Sequence, residues 1–165
     1  MASALKTLIN TTAKPGNVEW IGLRSARREV MHVVEMVEIT EDGLAGDHAR
    51  ALGRPGKRAV TLIQAEHLAV IGAFLGQNPV EPNLLRRNLV VSGINLLALK
   101  GRSIQVGTAT LAITGPCAPC SRMEEALGTG GYSAMRGHGG ITASVVQLGS
   151  IRLGDAVQPT SSSVN

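Results

Sequence analysis

Aromatic side chains are almost missing from this sequence. Its 165 residues include one tryptophan, one tyrosine and one phenylalanine. Proteins that grip single-stranded nucleic acid stack successive bases on aromatic rings, and three rings are too few for such a platform. Cysteine is scarce too, with two residues, Cys117 and Cys120. Two cysteines make no disulfide framework, so the fold has to rest on a hydrophobic core. No apolar run approaches the roughly 20 residues that span a bilayer as a helix. Residues 1–16 have neither the sustained apolar stretch nor the cleavage site of a secretory signal. These absences lead us to expect a cytoplasmic protein that engages neither membrane nor nucleic acid.

What is present is ordinary for one globular domain. The length fits a single unit with a real core, and a hydrophobic fraction of 44% argues against general disorder. The net charge of +4 is carried mostly by arginine. The arginines come in short groups: Arg24, Arg27 and Arg28; Arg50, Arg54, Lys57 and Arg58; Arg86 and Arg87. A solvated surface accounts for any one of them, but several such groups brought together by folding make a site for a small anion.

Along the chain, residues 1–16 read as a loose lead-in ending at the turn Lys14-Pro15-Gly16, residues 17–158 as the domain, and residues 159–165 as a disordered polar tail. Strands are expected over 18–23, 30–39, 59–63, 86–93, 141–148 and 151–157 from their β-branched, alternating composition. Residues 103–106 and 109–114 should form a hairpin through Gly107-Thr108. Helix is expected over 64–75, where Leu68, Ile71 and Leu75 share one face and Gly76 can end it, and again over 122–127. Residues 50–57 read as a mobile basic loop, 78–83 as a loop, and 128–140 as a glycine-rich flexible loop. His32 and His67 read as structural. Many short strands, tight turns and one good helix predict a mainly β fold, a barrel with a few short helices.

The richest stretch is Thr114 to Glu125, which holds both cysteines. Pro116, Pro119 and Gly115 stiffen and open it. A thiol that precedes a helix start and neighbours Arg122 sits in a positive field, the setting of a reactive or metal-binding sulfur. That sulfur is Cys120. Three chemistries compete for the loop. Cys117-Ala118-Pro119-Cys120 resembles the thioredoxin dithiol motif, although the chain is poor in the long helices of that fold and no tryptophan precedes Cys117. Structural zinc would need four ligands, and there is one CxxC with scattered histidines. The third is a soft metal on a thiolate, with arginines clamping an anionic organic cofactor such as molybdenum pterin. Elsewhere, Asp47 beside His48 could act as an acid–base pair or lie in an ordinary polar loop. Arg86, Arg87 and Asn88 could present a fork of donors to phosphate or carboxylate.

The order of these pieces is similar to one known family. Gly43-Leu44-Ala45-Gly46-Asp47-His48 comes first, then Arg58 to Glu66, then Leu85 to Ile94. Pro116 to Met123 follows, then Gly137 to Gly140 and Gly154 to Val157. From Gly43 to Val157 the series resembles the MOSC family, named for the C-terminal domain of molybdenum cofactor sulfurase, in a small stand-alone bacterial-type form. The resemblance implies a MOSC-like β-barrel that binds molybdenum cofactor or a sulfurated form of it. Family proteins include the sulfurase domain, the mitochondrial amidoxime-reducing component and small bacterial reductases of N-hydroxylated bases. The resemblance makes Cys120 the catalytic residue and metal ligand. It places Asp47, His48, Arg58, Arg86, Arg87, Asn88, Cys117, Ser121 and Arg122 at the cofactor. It implies a molybdenum-dependent reductase of N-hydroxylated compounds acting on a small molecule and supplied by an external electron-transfer protein. The alternative is a sulfur or cofactor carrier with a persulfide on Cys120, served by a cysteine desulfurase. Pyridoxal phosphate belongs to the full sulfurases, and its chemistry would need a partner. Cys117 departs from members with one cysteine, and its role stays open.

Overall fold

The computed structural model describes residues 3–48 and 56–161. Seven strands close into a barrel, in the spatial order β1 (Gly16–Leu23), β6 (Leu89–Ser92), β5 (Val60–Gln64), β9 (Ile141–Gln147), β8 (Ala109–Pro116), β7 (Ser103–Val106) and β11 (Ala156–Pro159), which returns to β1. The far edge of β1 is shared. Gly16 and Asn17 pair with β11, while Ile21 to Leu23 pair with β2 (His32–Val34). A second sheet of three strands joins β10 (Gly149–Arg152), β3 (Met36–Thr40) and β4 (Gly43–Leu44).

The strand pattern explains the layers. In β7 and β8 buried and more open positions alternate, as a barrel wall with one dry face requires. Strand β5 is buried at all five positions. Val60 and Leu62 enter the barrel core, while Ile63 faces a second cluster with Ile71, Val80, Leu85, Val90, Met123 and Met135. That second cluster is the underside of a helical layer. It contains α2 (Ala65–Phe74), α3 (Pro82–Leu85), α4 (Ser121–Leu127) and α5 (Gly131–Met135). Strands β5 and β6 are parallel, so their connection must cross over, and α2 and α3 make that crossover.

The mainly β barrel, the hairpin through Gly107 and the helix ending at Gly76 (φ +69°) are as expected. Several local readings need correction. The run 30–39 is two strands in two sheets. The loop 78–83 already contains the start of α3, with Pro82 at its first turn, where a missing N–H costs nothing. The segment 128–140 carries α5, whose Met135 is fully buried. Within residues 1–16 lies α1 (Ala4–Asn10), capped by the Ser3 hydroxyl accepting from Lys6 N at 3.2 Å and burying no side chain. At the other terminus, Pro159 pairs with Ile104, and Thr160 N donates to Ser103 O at 3.0 Å. Arg50 and Arg54 lie outside the described residues. No described helix is long and apolar enough to cross a membrane.

Candidate functional site

The thiol loop leaves the barrel where Pro116 pairs with Ile141. Cys117 N donates to Gly140 O at 2.8 Å, which ties the loop to the segment before β9. Cys117 is buried, and its sulfur meets Arg58 Nη2 at 3.9 Å, a long contact. Three residues later the chain turns outward. Cys120 is the N-cap residue of α4, its side chain makes no capping hydrogen bond, and it is exposed. Met123, one turn on and fully buried, anchors the helix to the second core cluster. Both thiols are free.

Behind this loop, Arg87 is buried and donates to three backbone carbonyls. Its Nε reaches Gly139 O at 2.8 Å, Nη1 reaches Leu85 O at 2.9 Å and Nη2 reaches Cys117 O at 3.3 Å. Burial pushes its pKa down, the sulfurs of Cys117 and Cys120 pull it up, and Arg58 and Arg24 push it down. The side chain of Asn88 is fully enclosed. Its Oδ1 accepts from Thr61 N at 3.1 Å and Thr61 Oγ1 at 3.0 Å. Its Nδ2 donates to Gly22 O and to Asp47 Oδ1, each at 3.2 Å.

Asp47 is buried and is held by Arg24. Arg24 Nε donates to Oδ1 at 3.1 Å, Nη2 to Oδ2 at 2.7 Å, and the Arg24 backbone N to Oδ1 at 2.8 Å. Arg87, Asn88 and Asp47 spend these polar atoms on the protein itself. They position the loops, and Asn88 is enclosed among protein groups. The Asp47–His48 pair does not form an acid–base unit either. Asp47 is spent on Arg24, and His48 is exposed, fixed through its backbone N, which donates to Arg24 O.

Arg24 is the residue that sequence reasoning left out of the site. In the sequence it is one of a short arginine group with Arg27 and Arg28. Its partners lie 23 and 64 residues away, and no local spacing signals them.

The remaining guanidinium groups are less committed. Arg86 takes a left-handed backbone at the end of α3 (φ +58°) and donates to Glu29 O at 2.6 Å and Ala26 O at 3.4 Å. Burial, then Arg24 and Arg122, push its pKa down, and Asp47 opposes them. Arg122 makes no hydrogen bond or ion pair with a described residue, and Arg58 makes only the long contact to Cys117. Ser121 is exposed at the first turn of α4. The folded chain thus gathers Arg24, Arg58, Arg86, Arg87 and Arg122 around two thiols, and Asp47 is the one carboxylate that holds any of them by an ion pair among the described residues.

This donor set fits an anionic cofactor whose metal takes one soft protein ligand. Cys120 is exposed and uncapped, and Arg58, Arg86 and Arg122 retain unspent N–H groups. No group of three or more His, Cys, Asp or Glu side chains able to hold a metal occurs among the described residues.

Comparisons with known proteins agree with this fold. YuaD from Bacillus subtilis is 19% identical, with a TM-score of 0.74 covering 87% of this chain and 94% of that one. YiiM from Geobacillus stearothermophilus is 18% identical, with a TM-score of 0.74 covering 92% and 78%. YiiM from Escherichia coli is 19% identical, with a TM-score of 0.69 covering 90% and 72%. At these identities the likeness concerns the fold. No curated protein matches the sequence. A sequence model of the MOSC domain matches residues 40–158, well over half the chain, which therefore belongs to the MOSC domain family, a family associated with binding of molybdenum cofactor.

Proposed function

We propose that the protein holds molybdenum cofactor through Cys120 and reduces N-hydroxylated small molecules. The observation that carries this reading is an exposed, unpartnered thiol beside guanidinium groups that outnumber their carboxylate partners. Such a surplus of positive charge costs free energy in the free protein and is relieved by an anion. Arg122, Arg86 and Arg58 would take the cofactor phosphate, and Arg87 would keep the thiol loop in place from below. When bound, the cofactor would supply two-electron reduction, which with two protons turns an N-hydroxylated compound into the amine and water. The electrons come from an external electron-transfer protein.

The test is metal and pterin content after expression in a cofactor-producing host. Cys120→Ser should remove the molybdenum. Arg122→Ala should weaken retention by roughly tenfold or more, the effect of one charge-assisted contact of about 1.5–3 kcal/mol. Molybdenum retained by the Cys120 variant would refute the ligand assignment. The exposure of Cys120 also suits sulfur transfer between proteins. A persulfide on Cys120 in protein free of molybdenum would replace the reductase by that carrier reading.

A further inference from the structure

A cavity of about 260 Å³ opens against the thiol loop. Pro116, Ala118 and Pro119 form one wall, Leu97 another, and Tyr132 and Arg136 of the 131–140 segment complete it. Among the described residues no acidic side chain lines it. Its volume falls just below the usual range for a drug-sized ligand, roughly 300–1,000 Å³, and so suits one ring with a substituent. Leu97 is 47% exposed and Tyr132 is 43% exposed, so both offer open apolar surface at the cavity. Tyr132 is also held in position. Its backbone N and that of Gly130 donate to the two oxygens of Glu124, at 2.8 and 2.7 Å, which fixes the start of α5. The Arg136 side chain is exposed and has no described partner. Cys117 also lines the cavity, and Pro119 is one peptide unit from Cys120.

We infer that this cavity selects the organic substrate, and that the class it takes is a flat single-ring compound carrying negative charge. The ring lies among Tyr132, Leu97 and Pro119, and the acidic substituent meets Arg136. Apolar walls favour the ring, and the lone guanidinium favours an anion and rejects a cation. The word substrate rests on the reductase reading above; the binding preference does not.

The experiment measures binding of two probes, 4-carboxybenzamidoxime and its cationic 4-aminomethyl analogue, to the protein as purified. Calorimetry gives the affinities, and amide shifts of the isotope-labelled protein locate the site. The carboxylated probe should bind at least about tenfold more tightly, the effect of one charge-assisted contact. Its shifts should centre on Ala118, Gly137, Gly139 and Gly140. Arg136→Glu, a change at an exposed position, should reverse the order of the two probes. Equal affinities, an unchanged order in Arg136→Glu, or shifts centred elsewhere would overturn the assignment. Metal analysis of the same preparation separates the two claims. Selective binding in protein without molybdenum or pterin upholds the subsite and sinks the reductase, while a loaded protein that ignores probe charge does the reverse.

Discussion

Replacing Arg24 by methionine isolates the contact that locks the site's polar base. The Asp47 side chain is 1% exposed and that of Arg24 20%. Arg24 supplies two side-chain bonds, Nε to Oδ1 at 3.1 Å and Nη2 to Oδ2 at 2.7 Å. After Arg24→Met, Oδ1 keeps the Arg24 backbone N and Asn88 Nδ2 as donors, while Oδ2 keeps no described donor. Removing one partner of a buried pair costs about 3–5 kcal/mol, because a charge is left without compensation. The donors remaining on Oδ1 put this case at the low end, about 3 kcal/mol. For a domain of this size that is a fall in Tm of roughly 6–12 °C. Adding Asp47→Asn removes the stranded charge. The double variant should therefore recover about 1–2 kcal/mol relative to the sum of the single changes. Thermal unfolding of the four proteins, followed by circular dichroism, completes the cycle. If Arg24→Met stays within about 1 kcal/mol of the parent, or the single effects simply add, the pair does not lock the site in the way argued.

Arg87→Lys keeps the charge but cannot span the carbonyls of Leu85, Cys117 and Gly139; about 2–4 kcal/mol of stability should disappear in urea unfolding, with faster amide exchange at Cys117. His67 is held below its ordinary pKa of 6.5 by burial, then by His138, with Glu66 opposing. The unfolded chain binds that proton more readily, so stability should be full above about pH 6.5 and fall as the pH drops below it. His67→Gln should flatten this acid limb in urea midpoints taken between about pH 5 and 8. Gly140 has φ +89°, and an added Cβ would strike Leu62 O, whereas Gly137 has φ +80° and open space around it. Gly137→Ala should cost about 1–2 kcal/mol from backbone strain alone, and Gly140→Ala clearly more in the same unfolding assay.

The barrel was legible because its signals are local. Alternation in 103–106 and 109–114 and the turn at Gly107 are all contained within a few residues. Helix α5 was not legible because its glycines look like flexibility. In the fold Gly131 serves contact: a Cβ there would lie 2.6 Å from Leu127 Cβ and 2.7 Å from Met123 O, so glycine lets α5 pack on α4. The split of 30–39 depends on two different sheet neighbours, which composition does not encode. In the candidate site, motif order pointed to Cys120, Arg58, Arg86, Arg87 and Arg122 but not to Arg24. Which arginines are already spent could not be read that way, because Arg87 finds Gly139 across 52 residues and Arg24 finds Asp47 across 23.

The same division between spent and unspent groups bears on the two thiols. A dithiol reaction needs both sulfurs to approach and exchange partners. Cys117 is enclosed, and two backbone anchors hold it there: its N–H on Gly140 O and its carbonyl on Arg87 Nη2. Exposing it would release Arg87 from one of three carbonyls and detach the thiol loop from the strand beside it. Cys120 requires none of this, since it already faces solvent with no capping bond to break. Chemistry through a single sulfur therefore uses the loop as it stands, whereas chemistry through the pair must first undo the contacts that place the loop against its arginines.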